Sequence, residues 1–401
     1  MKNFSYGWAV LIGLLLMYAA SNGIVLNTVP LFFPEIIKEF NIDQADVQRG
    51  PALLFLLIAL LSPLMGYLLD RFNARLLITL GAIGLALDVL FFSQIANYQQ
   101  FLIFYVAYSF CLALCGIISS MYLVTNWFHK HRGKAVGILL LGSSLGGAIF
   151  PPLAGKWIKT MGWQAAAGQL GIIAAVIILV PLFFIRNKKR AEFSASFSSL
   201  QTQLYPDITL KEAVRTPTFY FLLVGTSVLW FCINGIINNN ALYLSDLKLD
   251  PKQAGGIIGL FFTCSVFGKL IFGFLSDYFS KKYIMILAIV NLLAGSILLK
   301  MTVNDLTFLK AYAVCFGIGF SGAFTMIQLL VAELYQGKNY GSILGVVTMI
   351  DTLAGSAGAL VLGILRKNSG SYLSSFNLMI TLCIVALIAT VFVKSKKIAG
   401  V

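Results

Sequence analysis

The sequence predicts an all-α polytopic membrane protein: twelve transmembrane helices in two six-helix halves. Three observations carry this expectation. Hydrophobic residues make up 59% of the chain and charged residues only 11%, against roughly 25% charged in soluble domains. Apolar runs recur along the chain, each near the roughly 20 residues a helix needs to cross about 30 Å of hydrocarbon. Finally, the chain repeats itself. "GYLLDRFNARLLI" begins at Gly66 and "GFLSDYFSKKYIM" at Gly273, 207 positions later; "RGKAVGI" begins at Arg132 and "YGSILGV" at Tyr340, 208 positions later. The short alternating segments of a membrane β-barrel do not occur.

The first half holds α1 (8–29), α2 (51–69), α3 (75–95), α4 (101–127), α5 (134–158) and α6 (163–185). The α1 run opens with "YGWAVL". It is too long for the apolar region of a signal peptide and lacks a small-residue cleavage site, so it reads as a helix. The "GYLLDRFNAR" stretch closes α2 and leads into α3. "WFHKHRGKAVGI" joins α4 to α5. Within α5, "GSSLGGAIFPPLAG" supplies small residues for close helix approach, and Pro151 and Pro152 suggest a kink. After α6 the basic "RNKKR" opens the longest polar segment, 186–217, too short and polar for a catalytic domain. It reads as a cytoplasmic linker between an N-terminal half, 1–185, and a C-terminal half, 218–401. That second half holds α7 (218–242), α8 (253–276), α9 (283–300), α10 (306–334), α11 (340–365) and α12 (372–393).

Net charge is +14. Nucleic acid is not the expected partner, because the positive charge sits in loops beside the spans. With the N-terminus on side one, 18 of the 29 Lys and Arg residues fall on side one, 10 on side two, and Lys269 inside a span. The positive-inside rule then places both termini in the cytoplasm of a multi-pass cell (inner) membrane protein. All six cysteines lie in apolar runs and read as packing residues; Cys111 and Cys115 share a face, but no His or further Cys joins them, so no metal is expected. His129 and His131 sit in a basic loop. There is no phosphate-cradling loop and no Ser/His/Asp constellation in the soluble segments. Neither an enzyme, an ATP-driven pump nor a cofactor is expected, which leaves a secondary transporter.

The repeated "G-x-x-x-D" loops resemble the signature of the major facilitator superfamily, and the resemblance covers the whole chain. It implies the major facilitator fold and a gate on the cytoplasmic side. Asp70 would lie near the start of α11 and Asp277 near the start of α5, each capping a positive helix N-terminus, with Arg71, Arg75, Lys281 and Lys282 completing the network. More narrowly, "YGWAVL", "WFHKHRGKAVGI" and the "ELY" that ends α10 resemble the monocarboxylate transporter and oxalate–formate exchanger group. That group carries a substrate-binding arginine in α8, four residues before the motif glycine and eight before its acidic position. Lys269 stands in that place relative to Gly273 and Asp277. The chain departs from the group in having lysine for arginine, which loses a flat bidentate fork, Ser265 where animal members carry an acid, Asn27 for an α1 lysine, and Asp351 in α11 where oxalate–formate exchangers carry a cation.

Besides Cys and Tyr, the ionisable side chains well inside spans are Lys269, Asp351 and Asp88. A lysine at the bilayer centre costs about 2.5–3.5 kcal/mol on insertion scales. Lys269 lies about 12 Å along its helix from Asp277 at 1.5 Å per residue. In the major facilitator fold α8 and α11 line the cavity, so Asp351 is the expected partner of Lys269 and the candidate for proton coupling. Asp88, on peripheral α3, is expected to hydrogen-bond neighbouring helices. Asn27, Tyr122, Asn234, Asn238 and Gln328 are the further candidates for substrate contact. The leading expectation is a monomeric, alternating-access transporter of small organic carboxylates, coupled to a proton or exchanging a counter-anion. The alternatives are a larger carboxylate-containing metabolite as cargo, or a non-transporting receptor.

Overall fold

The structure is a computed structural model that describes residues 2–128, 132–185, 208–335 and 340–393. Its described residues form twelve helices long and apolar enough to cross a membrane, with no strand among them. The spans are α1 Tyr6–Phe40, α2 Gln44–Ser62, α3 Ala74–Gln94, α4 Tyr98–Val124, α5 Gly137–Met161 and α6 Trp163–Phe183, then α7 Pro217–Asp246, α8 Pro251–Ser276, α9 Lys281–Met301, α10 Phe308–Tyr335, α11 Ile343–Ser369 and α12 Leu373–Phe392. Twelve passes leave Lys2 and Val393 on the same side. Of the expected linker, 208–217 is described; it holds one helical turn, Leu210–Ala213, closed by a Thr209–Glu212 capping box.

Several helices begin before their apolar runs. The α2 helix starts at Gln44 rather than near Pro51, because Asp43 caps it: its carboxylate accepts from the Ala45 and Asp46 N–H groups, and Asp46 bonds back to Asp43. Such a cap is worth about 1 kcal/mol and lets a polar first turn extend an apolar helix. Asp250 does the same for α8, with Gln253 answering it. The expected single α1 helix is instead composite, passing through a π-helical segment, Ser21–Leu26, and a 3-10 turn, Val29–Phe32, before Phe33–Phe40. The Tyr108 hydroxyl donates to the Ser21 carbonyl at 2.7 Å and the Thr28 hydroxyl to the Gly23 carbonyl at 2.6 Å, satisfying acceptors that the altered ladder exposes. The α5 helix runs unbroken through Pro151 and Pro152.

The two halves meet chiefly through two helix pairs, α5 against α8 and α2 against α11, with the end of α1 also touching α7. The approach is closest on side two. A methyl on Gly155 would strike the Pro251 carbonyl oxygen, and one on Gly255 the Pro151 carbonyl oxygen, so neither position tolerates a Cβ as packed. On side one, a methyl on Gly137, Gly273 or Gly345 would meet nothing within 4 Å among the described residues. The cross-half contacts among the described residues therefore run from mid-membrane to side two, and this is a side-two-closed conformation.

Replacing Gly155 and Gly255 together by Ala is expected to wedge side two open. Thiol labelling of a cysteine at Lys252, in a background without the native cysteines, should then speed up from side two by tenfold or more. An unchanged rate would show that this seam does not set the closure.

Candidate functional site

Lys269 on α8 is 7% exposed and sits where α8 meets α5. Its ammonium donates to the Leu140 carbonyl and to the Ser143 hydroxyl, both at 3.0 Å. It also lies 4.9 Å from the centre of the Phe324 ring, an arrangement that favours a cation. Among the described residues no carboxylate lies within 4 Å of it. Asn27 reaches the same place from α1, its amide donating to the Ser143 carbonyl at 3.0 Å, and the Tyr18 phenol is a further hydrogen-bond neighbour of Ser143. One turn toward side two, the Ser144 and Ser265 hydroxyls bond across the halves at 2.9 Å. The expected Asn27 and Lys269 are thus brought together through Ser143, a residue with no site expectation from the sequence.

Asp351 is not the partner of Lys269. It is 2% exposed, and its Oδ1 accepts from the Thr226 and Ser227 hydroxyls of α7 at 2.9 and 2.8 Å. The rotation of each helix decides this: α11 turns Asp351 toward α7, while α8 turns Lys269 toward α5. Asn234 and Asn238 share a face as expected, yet each amide donates to the carbonyl one turn back in α7, at 3.1 and 2.9 Å. Tyr122 and Gln328 are half-buried on α4 and α10. Asp88 is buried, but the expected interhelical hydrogen bond is missing: its Oδ2 has no partner among the described residues.

On side one, the side chains of Asp70, Arg71 and Asp277 lie outside the described residues. Arg75 is exposed at the start of α3. Lys281 pairs with Glu333 of α10 at 3.0 Å, and Lys282 donates to the Val391 carbonyl of α12 at 2.6 Å. Both lysines therefore tie α9 to helices of its own half.

Side two carries a polar closure that loop composition had not singled out. The capping carboxylates work twice. Asp43 caps α2 with Oδ1 and grips Lys367 of α11 with Oδ2 at 2.6 Å; Asp250 caps α8 with Oδ1 and grips Lys159 of α5 with Oδ2 at 2.6 Å. The two latches are copies of one another. Asp43 and Asp250 stand 207 positions apart and Lys159 and Lys367 stand 208 apart, the offsets of the sequence repeat. Extending the repeat beyond its recognisable motifs would have found them. Between the latches, Gln48 is fully buried and donates to the Asn238 carbonyl and the Asn239 amide oxygen at 2.9 and 3.2 Å, while the Tyr372 hydroxyl bridges Gln44 and Asn239. The latches also shift acidity. Burial raises the Asp43 carboxyl, but the Lys367 ammonium and the Asp46 and Ala45 N–H groups outweigh it and hold it below its usual value. The Lys159 hydrogen bond, with the Gln253 N–H, holds Asp250 below its usual value too.

The sequence model of the Major Facilitator Superfamily matches residues 10–245 and 234–399. The chain is 24% identical over 368 residues to the uncharacterized MFS-type transporter YcxA of Bacillus subtilis (strain 168), covering 90% of this chain and 87% of that one. It is 25% identical over 353 residues to the nitrite extrusion protein of the same organism, covering 85% and 83%. The fold matches a bacterial homologue of the human lysosomal transporter Spinster, solved inward-facing and unoccupied, with a TM-score of 0.75 and 19% identity over 97% of this chain and 96% of that chain.

A carboxyl that is more acidic when paired favours pairing at pH above its ordinary value and loses that contribution as pH falls through the lowered value. The side-two seam is therefore expected to stay closed from neutrality to about pH 5 and to loosen only below about pH 4. Asp43→Asn with Asp250→Asn should loosen it at neutral pH and flatten the profile. Side-two thiol accessibility against pH checks this; the same acid profile in wild type and double variant would rule the latches out.

Proposed function

The chain belongs to the Major Facilitator Superfamily, a transporter family, and from that premise we propose that it carries organic carboxylates by alternating access, with Lys269 as the counter-charge of the cargo. One observation carries the reading. The lysine is buried at mid-membrane, bridges the two halves, and among the described residues is satisfied by a carbonyl, a hydroxyl and aromatic faces. Neutral partners solvate an ammonium without neutralising it. Intramembrane ionisable groups usually face the bundle interior and find a partner; here the missing partner is the substrate's anion. Because the contacts to Leu140 and Ser143 cross from one half to the other, an anion taking their place changes what holds the halves together. Differential binding of this kind is what shifts a conformational equilibrium. The basic-residue asymmetry supports cytoplasmic termini, which makes side one the cytoplasm and the described state inward-facing.

Asp351 supports a proton-coupling role. Among the described residues it is buried without a cation beside it, and it is held by two hydroxyls that accommodate either a carboxylate or a carboxylic acid. Proton and anion binding are then linked through the conformational equilibrium that both bias, not through a direct Lys269–Asp351 bond.

Lys269→Gln is expected to lower uptake of labelled carboxylates into proteoliposomes by at least a hundredfold in a folded, membrane-inserted protein, with Lys269→Arg retaining part of it. Wild-type uptake by Lys269→Gln would sink the reading. Asp351→Asn is expected to preserve exchange of internal for external anion yet abolish accumulation driven by a pH gradient. Accumulation by that variant equal to wild type would place the proton site elsewhere.

A further inference from the structure

Resting on Lys269 as the anion's counter-charge, we propose that the cargo is an aryl or heteroaryl carboxylate, with a flat ring close to its acid group, rather than a small aliphatic acid. The surroundings of the ammonium are divided. On the α1 and α5 side it meets polar groups, the Leu140 carbonyl, Ser143 and the Asn27 amide behind it. On the other side it meets rings. Phe324 lies 4.9 Å and Phe320 6.0 Å from the ammonium. Trp230 of α7 meets Phe324 edge-on at 5.7 Å and 66°, and Phe320 stacks on Phe261 of α8 at 5.7 Å and 20°.

Burial sorts these rings. Phe261 is 1% and Phe320 7% exposed, so they form the backing. Phe324 and Trp230 are half-buried. Phe324 already serves the ammonium as a cation–π partner; Trp230, which has no such contact with the lysine, extends the aromatic surface beyond what that role needs.

Distance completes the argument. A carboxylate hydrogen-bonded to an ammonium lies about 2.8 Å from it. When the carboxylate approaches from the Phe324 side, what its carbon bears falls within the ring–ring range of about 4.5–7 Å from that ring. A flat ring lying along the Phe324 face contacts the half-buried aromatics while its acid group takes a hydrogen bond from the ammonium on that side. Formate- or acetate-sized anions leave both rings unused.

The test compares matched pairs of acids: benzoate with cyclohexanecarboxylate, and phenylacetate with cyclohexylacetate, alongside acetate and lactate. Dissociation constants come from ligand-dependent thermal stabilisation of the purified full-length protein in nanodiscs. At least one aryl acid is expected to bind about three- to tenfold more tightly than its saturated partner, the range one ring contact supplies. Phe324→Leu should bring that ratio near unity, Phe324→Tyr should keep it, and Lys269→Gln should remove binding of every acid. Equal affinity within both pairs, or a preference for the saturated or small acids, overturns the ring proposal and leaves the anion reading standing. Binding of none of the acids by a folded wild-type protein overturns both. An aryl preference that persists in Phe324→Leu would show that the ring rests elsewhere and overturn the assigned subsite.

Discussion

A buried intramembrane lysine with no carboxylate beside it among the described residues is the constraint around which this molecule is arranged. Lys269 sits at mid-membrane, where a lysine costs about 2.5–3.5 kcal/mol, and the chain offsets that cost with neutral groups: the Leu140 carbonyl, the Ser143 hydroxyl and the face of Phe324. All three are weaker than a carboxylate would be. Two of them belong to the opposite half. The lysine's hydrogen-bonding partners are therefore also part of the seam between halves; under the proposed function, filling the site and opening the seam are coupled.

That seam depends on a second device outside the hydrocarbon. On side two, each capping aspartate starts a helix of one half and holds a lysine of the other. Exposed ion pairs contribute little individually. Here they act beside glycines that admit no side chain and a buried amide cluster at Gln48, so the seam is close-packed as well as charged. Because the latches are repeat copies, the chain closes this side with the same residues twice. The repeat motif itself places Asp70 and Asp277, also 207 positions apart, at the side-one ends of the same two helices. One duplicated helix thus carries an aspartate at each end.

Much of this was legible in the sequence for simple reasons. Apolar runs reveal spans because lipid leaves the backbone few alternatives to a helix, and Lys269 stood out because a charge there is expensive. The partners were less legible. A backbone carbonyl such as Leu140 leaves no mark in a sequence, and whether Asp351 meets Lys269 or Thr226 depends on helix rotation, which composition does not encode. Ser265 read as the loss of an acid, whereas it forms a hydroxyl pair with Ser144 across the seam. The early starts of α2 and α8 were hidden by polar first turns whose capping boxes were there to be read. The side-two latches looked like loop charge until the repeat offset joined them.

The most direct measurement of the central claim is a structure of the protein with a transported carboxylate bound. The account requires the carboxylate about 2.8 Å from the Lys269 ammonium, with the lysine's bonds to Leu140 and Ser143 loosened or lost. A carboxylate bound elsewhere in the cavity, with Lys269 still seated on α5, would contradict it and leave the lysine as a structural tie between the halves.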